Sequence, residues 1–357
     1  MQAVNRIWLL PLSYVYGLGV WIRHRLYDWN VLGSEKFPIA VVKVGNLTTG
    51  GTGKTPHTEL VAAMLMELFP TVAILSRGYR RKTKGFRLAD QADTPETIGD
   101  EPFMLYRKLP GVMVAVCEDR AEGIRRLLKI QPYLSAVILD DGLQHRKVEG
   151  GLTLLLSDFN RPFFRDYLLP AGNLRESAAA ARKADLIVFT KTPGQLSLYD
   201  KKLYETKVKP AAHQTILFTN LKYGEPVFIE PFPEWPLTST DQIVVVTGIA
   251  HADSLITYIK TMGPAYKHLE YPDHHEYQQA ELSQIEEAWR SFPPSSGNRY
   301  ILCTEKDFVK LAMHAAWFEQ LQIPLAYLPV EIGFDEQDRT LFIKRIESYV
   351  RQHQRNT

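Results

Sequence analysis

Thr48-Thr49-Gly50-Gly51-Thr52-Gly53-Lys54-Thr55 decides how this chain is read, because of what stands on either side of it. Before it, Ile39-Ala40-Val41-Val42-Lys43-Val44 is an almost unbroken apolar run, the pattern of a strand covered on both faces. After it, Leu60, Ala63, Met64 and Leu68 recur at helical spacing. Strand, glycine-rich turn and helix form the context in which a Gly-Lys-Thr ending marks a phosphate loop. The glycines let backbone N–H groups converge on phosphate oxygens, and the helix N-terminus adds the positive end of its dipole. Every residue from Thr48 to Thr55 is therefore a candidate nucleotide contact, with Lys54 on the β/γ-phosphates and the Thr55 hydroxyl on Mg²⁺. Thr48 stands where the strict pattern has glycine.

Other short apolar runs, at 72–75, 112–116, 136–139, 152–156 and 186–189, read as parallel strands, with helical patterns at 101–108 and 121–129 between some of them. The alternation predicts an α/β fold with a doubly wound, mostly parallel sheet of the P-loop NTPase type. A second set (strands at 243–246 and 301–304, helices from about Asp253 and over 279–289) predicts a smaller α/β domain. Between the two sets, 226–236 holds four prolines. The expected organisation is an N-terminal helix in 1–28, a kinase core in 29–215, a linker strand in 216–224, the smaller domain in 225–330, and a return strand with a C-terminal helix in 331–357.

At 357 residues, with 45% hydrophobic and 23% charged residues, the chain has the composition of a folded protein with room for two cores. A net charge of +2 implies no overall polyanion partner and carries no message about nucleic acid. Two cysteines, Cys117 and Cys303, are too few for a disulfide framework or a four-cysteine zinc site. The stretch 7–22 is apolar and aromatic (Trp8, Tyr14, Tyr16, Trp21) and flanked by Arg6 and by Arg23 and Arg25. Its sixteen residues, interrupted by Pro11, fall short of the ~20 that cross a bilayer. A signal peptide would be followed by a small-residue cleavage site, and none follows. Two readings stand: a helix in the membrane interface, or one packed on the protein's own core. The basic run Arg77, Arg80, Arg81, Lys82, Lys84 and Arg87 is either a solvated face or a contact for anionic headgroups.

Three constellations carry candidate chemistry. Ala136-Val137-Ile138-Leu139-Asp140-Asp141 is a strand ending in two carboxylates, the arrangement that holds Mg²⁺ beside a phosphate loop. Asp100, in Gly99-Asp100-Glu101-Pro102, lies near a helix N-cap and is a candidate base for an acceptor hydroxyl. In Tyr271-Pro272-Asp273-His274-His275-Glu276-Tyr277, an Asp–His pairing can fix an imidazole tautomer and tune a base.

Taken in order, Val44-Gly45-Asn46 with Gly50–Pro56, Ser76-Arg77-Gly78-Tyr79, Gly99–Pro102, Asp140-Asp141-Gly142-Leu143-Gln144-His145, Pro170-Ala171-Gly172-Asn173-Leu174-Arg175-Glu176, Asp273-His274-His275 and Thr304-Glu305-Lys306-Asp307 resemble the tetraacyldisaccharide 4'-kinases of lipid A biosynthesis. The resemblance implies a two-domain enzyme at the cytoplasmic face of a Gram-negative inner membrane. It implies transfer of the γ-phosphate of ATP to the 4'-hydroxyl of a tetraacylated glucosamine disaccharide 1-phosphate, giving lipid IV-A. Matching motifs put Lys54 and Thr55 on phosphates and Mg²⁺, Asp140 and Asp141 at the metal, and Asp100 as base with His274 assisting. Arg77, Gln144, His145, Arg175 and Glu176 become substrate candidates, and no nucleic acid or obligate protein partner is implied. The alternative from another class is a partner-regulated P-loop switch ATPase. Such proteins carry a second lysine just before the paired glycines, where this chain has Thr49.

Overall fold

A computed structural model describes residues 6–355 of the chain. Its larger sheet takes eight strands in chain order: β1 (Ala40–Asn46), β2 (Val72–Ser76), β3 (Arg87–Leu88), β4 (Met113–Val116), β5 (Ala136–Asp140), β6 (Leu152–Asp158), β7 (Leu186–Thr190) and β8 (Thr215–Phe218). They lie side by side as β3-β4-β2-β5-β1-β6-β7-β8, and only β3, against β4, is antiparallel. Strands such as Val-Ala-Ile-Leu-Ser in β2 and Leu-Ile-Val-Phe-Thr in β7 are buried from end to end because helices cover both faces.

Helices α1 (Leu10–Asp28), α2 (Lys54–Leu68), α3 (Pro95–Ile98), α4 (Asp100–Lys108), α5 (Arg120–Ile130) and α6 (Leu198–Val208) belong to this half. Val61 and Leu65 of α2 pack on one face of the sheet with Val42, Val44 and Ile138. Ile124 and Leu127 of α5 pack on the other, with Ala73, Leu75 and Val137. The register places Val44 of β1 opposite Asp140 of β5. The loop leaving β1 and the acidic end of β5 therefore emerge together at the carboxyl edge of a doubly wound sheet, where such folds bind ligands.

The chain then runs through β9 (Asn220–Tyr223) into a five-stranded sheet built from β10 (Val227–Phe228), β11 (Gln242–Thr247), β12 (Ala265–Glu270), β13 (Arg299–Thr304) and β14 (Leu325–Leu328), in the order β10-β14-β13-β11-β12. Helices α7 (Asp253–Met262), α8 (Gln279–Arg290), α9 (Glu305–Leu311) and α10 (Ala315–Gln320) accompany it. The chain returns through β15 (Val330–Gly333), paired antiparallel with β9, and ends in α11 (Glu336–Arg355). Phe342, Ile346 and Val350 of α11 are buried in the core of the first sheet. One expectation needs correcting. The single linker strand expected over 216–224 is two strands: 215–218 form the eighth core strand, with Phe189 opposite Phe218, and β9 alone makes the connection. Four residues are too short for periodicity to separate a buried strand from a connector.

Helix α1 is docked on the rest of the chain along one side only. One side docks: the Ser13 hydroxyl donates to the Leu168 carbonyl (2.9 Å), Tyr16 to the Arg175 carbonyl (2.9 Å) and Arg23 to the Gln144 carbonyl (3.1 Å). The opposite side and the turn before it leave Trp8, Tyr14, Val15, Leu18 and Trp21 more than half exposed. Among the described residues no helix is long and apolar enough to cross a membrane. Residues 1–5 of the expected N-terminal segment lie outside the described residues.

Four of the six residues of the basic run after β2 are engaged within the chain. Arg81 pairs with Glu118 at 2.6 Å, Lys82 with Glu96 at 2.8 Å and Arg87 with Asp93 at 2.5 Å, while Arg80 donates to the Asp273 carbonyl at 3.2 Å.

The two halves meet where α4 faces α9. Lys108 reaches Glu59 at 2.9 Å and Glu305 at 2.6 Å. One ammonium cannot neutralise two carboxylates. Burial accordingly raises both acids, Glu59 from 4.5 to about 7, although the pairing favours the charge on Lys108. Folding then takes up a proton at Glu59 between pH 4.5 and about 7, so stability falls as pH rises through that window. Glu59→Gln is expected to melt roughly 2–4 °C higher than the unmodified chain at pH 8. The difference should vanish by pH 4.5, and a gain independent of pH would contradict this account.

Candidate active site

The phosphate loop is held from beneath and from both sides. Asn46, fully buried at the end of β1, donates to the Thr52 hydroxyl at 2.8 Å and the Gly50 carbonyl at 3.3 Å. Gly50 and Gly53 have φ of 105° and 80°, left-handed values that disfavour any side chain with a Cβ. The Thr49 amide donates to the Asn173 carbonyl (2.8 Å), and Lys191 donates to the Gly51 carbonyl (2.6 Å). His57, one turn into α2, sits 2.8 Å from the Gly53 carbonyl through Nδ1 and 3.2 Å from the Thr219 hydroxyl through Nε2. Burial pushes its imidazole down to about 4, so the neutral ring carries its proton on Nδ1. Asn46 stood in the sequence only as part of a motif without a role, and His57 and Lys191 were not singled out. Only their three-dimensional placement against loop carbonyls reveals their role.

The loop opens on a cavity of about 550 Å³. All of Thr48–Thr55 lines it, together with Arg77, Glu101, Asp140, Asp141, Arg175 and His274. Asp140 and Asp141 divide sharply. The Asp140 carboxylate is buried and accepts only hydroxyl hydrogen bonds, from Thr58 (3.1 Å) and Ser76 (3.4 Å). Burial, then the nearby charges of Glu101 and Asp141, push its carboxyl up to about 6. Asp141 has φ of 51°, which turns its carboxylate into the fork of Arg175 at 2.9 and 3.0 Å, with Lys54 at 3.7 Å. Burial opposes ionisation there too, but the Arg175 hydrogen bonds and the Lys54 charge hold Asp141 down to about 2. Among the described residues no ammonium or guanidinium is in ion-pair contact with the hard oxygen donors of Asp140, on which Lys54 acts only through its charge, whereas Asp141 is largely occupied by cations of the chain itself.

Asp100 is the first residue of α4, with Gly99 rather than Asp100 at the N-cap. Its Oδ2 accepts from His274 Nδ1 at 3.0 Å, across 174 positions of sequence. A φ of 62° at His274 turns the imidazole toward Asp100, and the edge of the Tyr79 ring packs against it with centroids 5.2 Å apart. Burial raises the Asp100 carboxyl, but hydrogen bonds from His274 and Lys310 outweigh it and keep the group below its ordinary range.

The substrate candidates separate. Arg77 and Arg175 line the cavity, whereas Gln144, His145 and Glu176 do not. Gln144 donates to the Asn46 carbonyl at 2.8 Å, supporting the loop. Burial, followed by the charge of Arg120, pushes His145 down to about 4. Glu176 faces His24 of α1 at 3.6 Å and lines a separate polar cavity of about 490 Å³ beneath that helix.

Comparison with known proteins agrees with this geometry. The family model for tetraacyldisaccharide-1-P 4'-kinase matches residues 5–348. The tetraacyldisaccharide 4'-kinase of Phocaeicola vulgatus is 38% identical over 98% of this chain and 96% of its own length. That of Porphyromonas gingivalis is 39% identical over 95% and 96%. A crystal structure of LpxK from Aquifex aeolicus in complex with ATP superposes with a TM-score of 0.71 at 30% identity, covering 96% of this chain and 99% of that one. A family match from residue 5 to residue 348, on a sheet whose carboxyl edge carries a phosphate loop and an acidic strand end, means that this chain belongs to the tetraacyldisaccharide-1-P 4'-kinase family and is a kinase of lipid A biosynthesis.

Proposed function

We propose that the chain binds ATP at the loop Thr48–Thr55 and passes its γ-phosphate to the 4'-hydroxyl of tetraacyldisaccharide 1-phosphate, with Asp100 accepting the hydroxyl proton. The observation that carries this reading is the cavity itself. It opens on the phosphate loop and the end of β5 from one half of the chain and on His274, the partner of Asp100, from the other. Phosphoryl transfer asks mainly for positioning and charge stabilisation, and this arrangement supplies both. The loop amides and Lys54 hold phosphate oxygens, and Arg175 holds Asp141 in place behind them. The under-compensated carboxylate of Asp140 and the Thr55 hydroxyl suit Mg²⁺, with Asp141 behind them. When bound, Mg²⁺ neutralises charge on the phosphates. Transfer of label from γ-labelled ATP to the disaccharide lipid is the direct test. Label released only as free phosphate, with a protein partner accelerating it, would favour the switch-ATPase reading instead.

The chain reads as two domains joined by the β9–β15 ribbon. The first is centred on the eight-stranded sheet and includes α11, and the second on the five-stranded sheet. A four-chain lipid stays in the bilayer, so its kinase must work at the headgroup plane. ATP supply puts that plane on the cytoplasmic face of the inner membrane. The exposed apolar side of the N-terminal helix suits this contact, since its docked side leaves Trp8, Leu18 and Trp21 facing outward. Each such side chain contributes about 1.5–3 kcal/mol when buried. Replacing all three with serine is expected to weaken co-sedimentation with anionic vesicles by well over tenfold while leaving the melting temperature nearly unchanged. Unchanged sedimentation would remove this helix from membrane binding.

A further inference from the structure

We infer that Lys310 and Lys306, one turn apart on α9 of the second domain, are positioning residues that keep Asp100 charged and orient its histidine, so the base is complete only when the two halves are together. This rests on the reading of Asp100 as base and adds the groups that set its charge.

Lys310 Nζ lies 2.7 Å from Asp100 Oδ2, the same oxygen that accepts from His274. Among the described residues both donors fall on Oδ2, which leaves Oδ1 for a substrate hydroxyl. A further hydrogen bond from Lys310 to the His275 carbonyl (2.8 Å) ties its ammonium to the turn that carries His274. Lys306 works at the other nitrogen. Its Nζ is held by Asp273 at 2.7 Å and stands 3.0 Å from His274 Nε2. An ammonium has protons to give and no lone pair, so Nε2 is the acceptor and the ring proton is on Nδ1, aimed at Asp100.

The titratable and charged groups around Asp100 are His274 and Asp273 on the turn after β12, Lys306 and Lys310 on α9, Arg80 on the loop after β2, and Glu101 beside it on α4. Asp100 and Lys310 side chains are each only 11% exposed. At that depth a carboxylate flanked by Glu101 gains a proton readily unless a cation opposes it. Both lysines arrive on α9, which follows β13 of the small sheet, whereas Asp100 starts α4 of the large-sheet half. Separating the halves would strip the base of its counter-charges and its histidine at once.

The test is kcat against pH for full-length protein with ATP and the disaccharide lipid, in the unmodified chain and in Lys310→Gln, Lys310→Arg, Lys306→Gln and Asp100→Asn. Lys310→Gln is expected to raise the pH of half-maximal kcat by roughly one unit or more. Its kcat at neutral pH should drop by about tenfold and recover toward higher pH, with the KM for ATP within about twofold of the unmodified value. Lys310→Arg should keep the original profile, and Lys306→Gln should shift the same way by less, a readout that remains if Lys310→Gln does not fold. An equal loss at every pH in either glutamine variant, or an arginine variant shifted as far as Lys310→Gln, would overturn the inference. Turnover surviving in Asp100→Asn would instead overturn the underlying assignment of the base.

Discussion

Asparagine in place of Asp100 is expected to lower kcat by about 10²–10⁴-fold, the range set by removing a positioned general base, with ATP affinity within about twofold. The amide is nearly isosteric, so α4 and its contact with α9 should persist. What disappears is the capacity to accept a proton. Asp100 contacts His274 and Lys310 rather than the phosphate loop, so nucleotide binding has no reason to suffer. Steady-state kcat and calorimetric ATP binding, measured on the same preparation, check both halves of the statement. A variant that loses ATP binding while keeping kcat at saturation would make Asp100 a structural residue.

The second large effect is expected at Lys54. Lys54→Ala should reduce kcat/KM by about 10²–10³-fold or more, because it removes a preorganised cation from the place where phosphate charge builds up. The consequences reach past the phosphates. Lys54 lies 3.7 Å from Asp141 and is the cation that draws the Asp140 carboxyl down, so its loss leaves two adjacent acids with Arg175 and the buried Arg120 as the remaining cations. Lys54→Arg should not restore activity, since a planar fork does not replace a compact ammonium in a loop shaped around it. Single-turnover transfer and a thermal melt separate chemistry from folding. Substantial transfer by Lys54→Ala would remove the phosphate loop from the reaction.

The elements around the site were legible to different depths. Buried strands announced themselves as apolar runs because both faces of the large sheet are covered, and the structure places β2, β4, β5, β6 and β7 within a residue or two of those runs. The two-residue β3 escaped, and β8 was read as part of a linker strand, both being too short for any period to show. The basic run after β2 left a solvated face and a headgroup contact both open by composition alone. Its partners Glu118, Glu96 and Asp93 lie up to 37 positions away, where composition carries no information about pairing.

Within the site the same division holds. A phosphate loop grips through its own backbone, so the eight consecutive positions 48–55 and their flanking periodicity were enough to predict one. The acidic end of β5 was equally plain, because its carboxylates terminate a buried strand. Their meeting was not, nor was the unequal fate of the two acids. A register of Val44 opposite Asp140 and a left-handed turn at Asp141 decide that one carboxylate faces hydroxyls and the other an arginine. Likewise the resemblance paired Asp100 with His274, but the lysines that charge and orient them come from a helix some two hundred positions further on. Local sequence determined which groups can grip a phosphate, since that needs only backbone and nearest neighbours. Folding alone decided which carboxylate is charged and ready to act, because charge depends on burial and on partners that only packing brings within hydrogen-bonding reach.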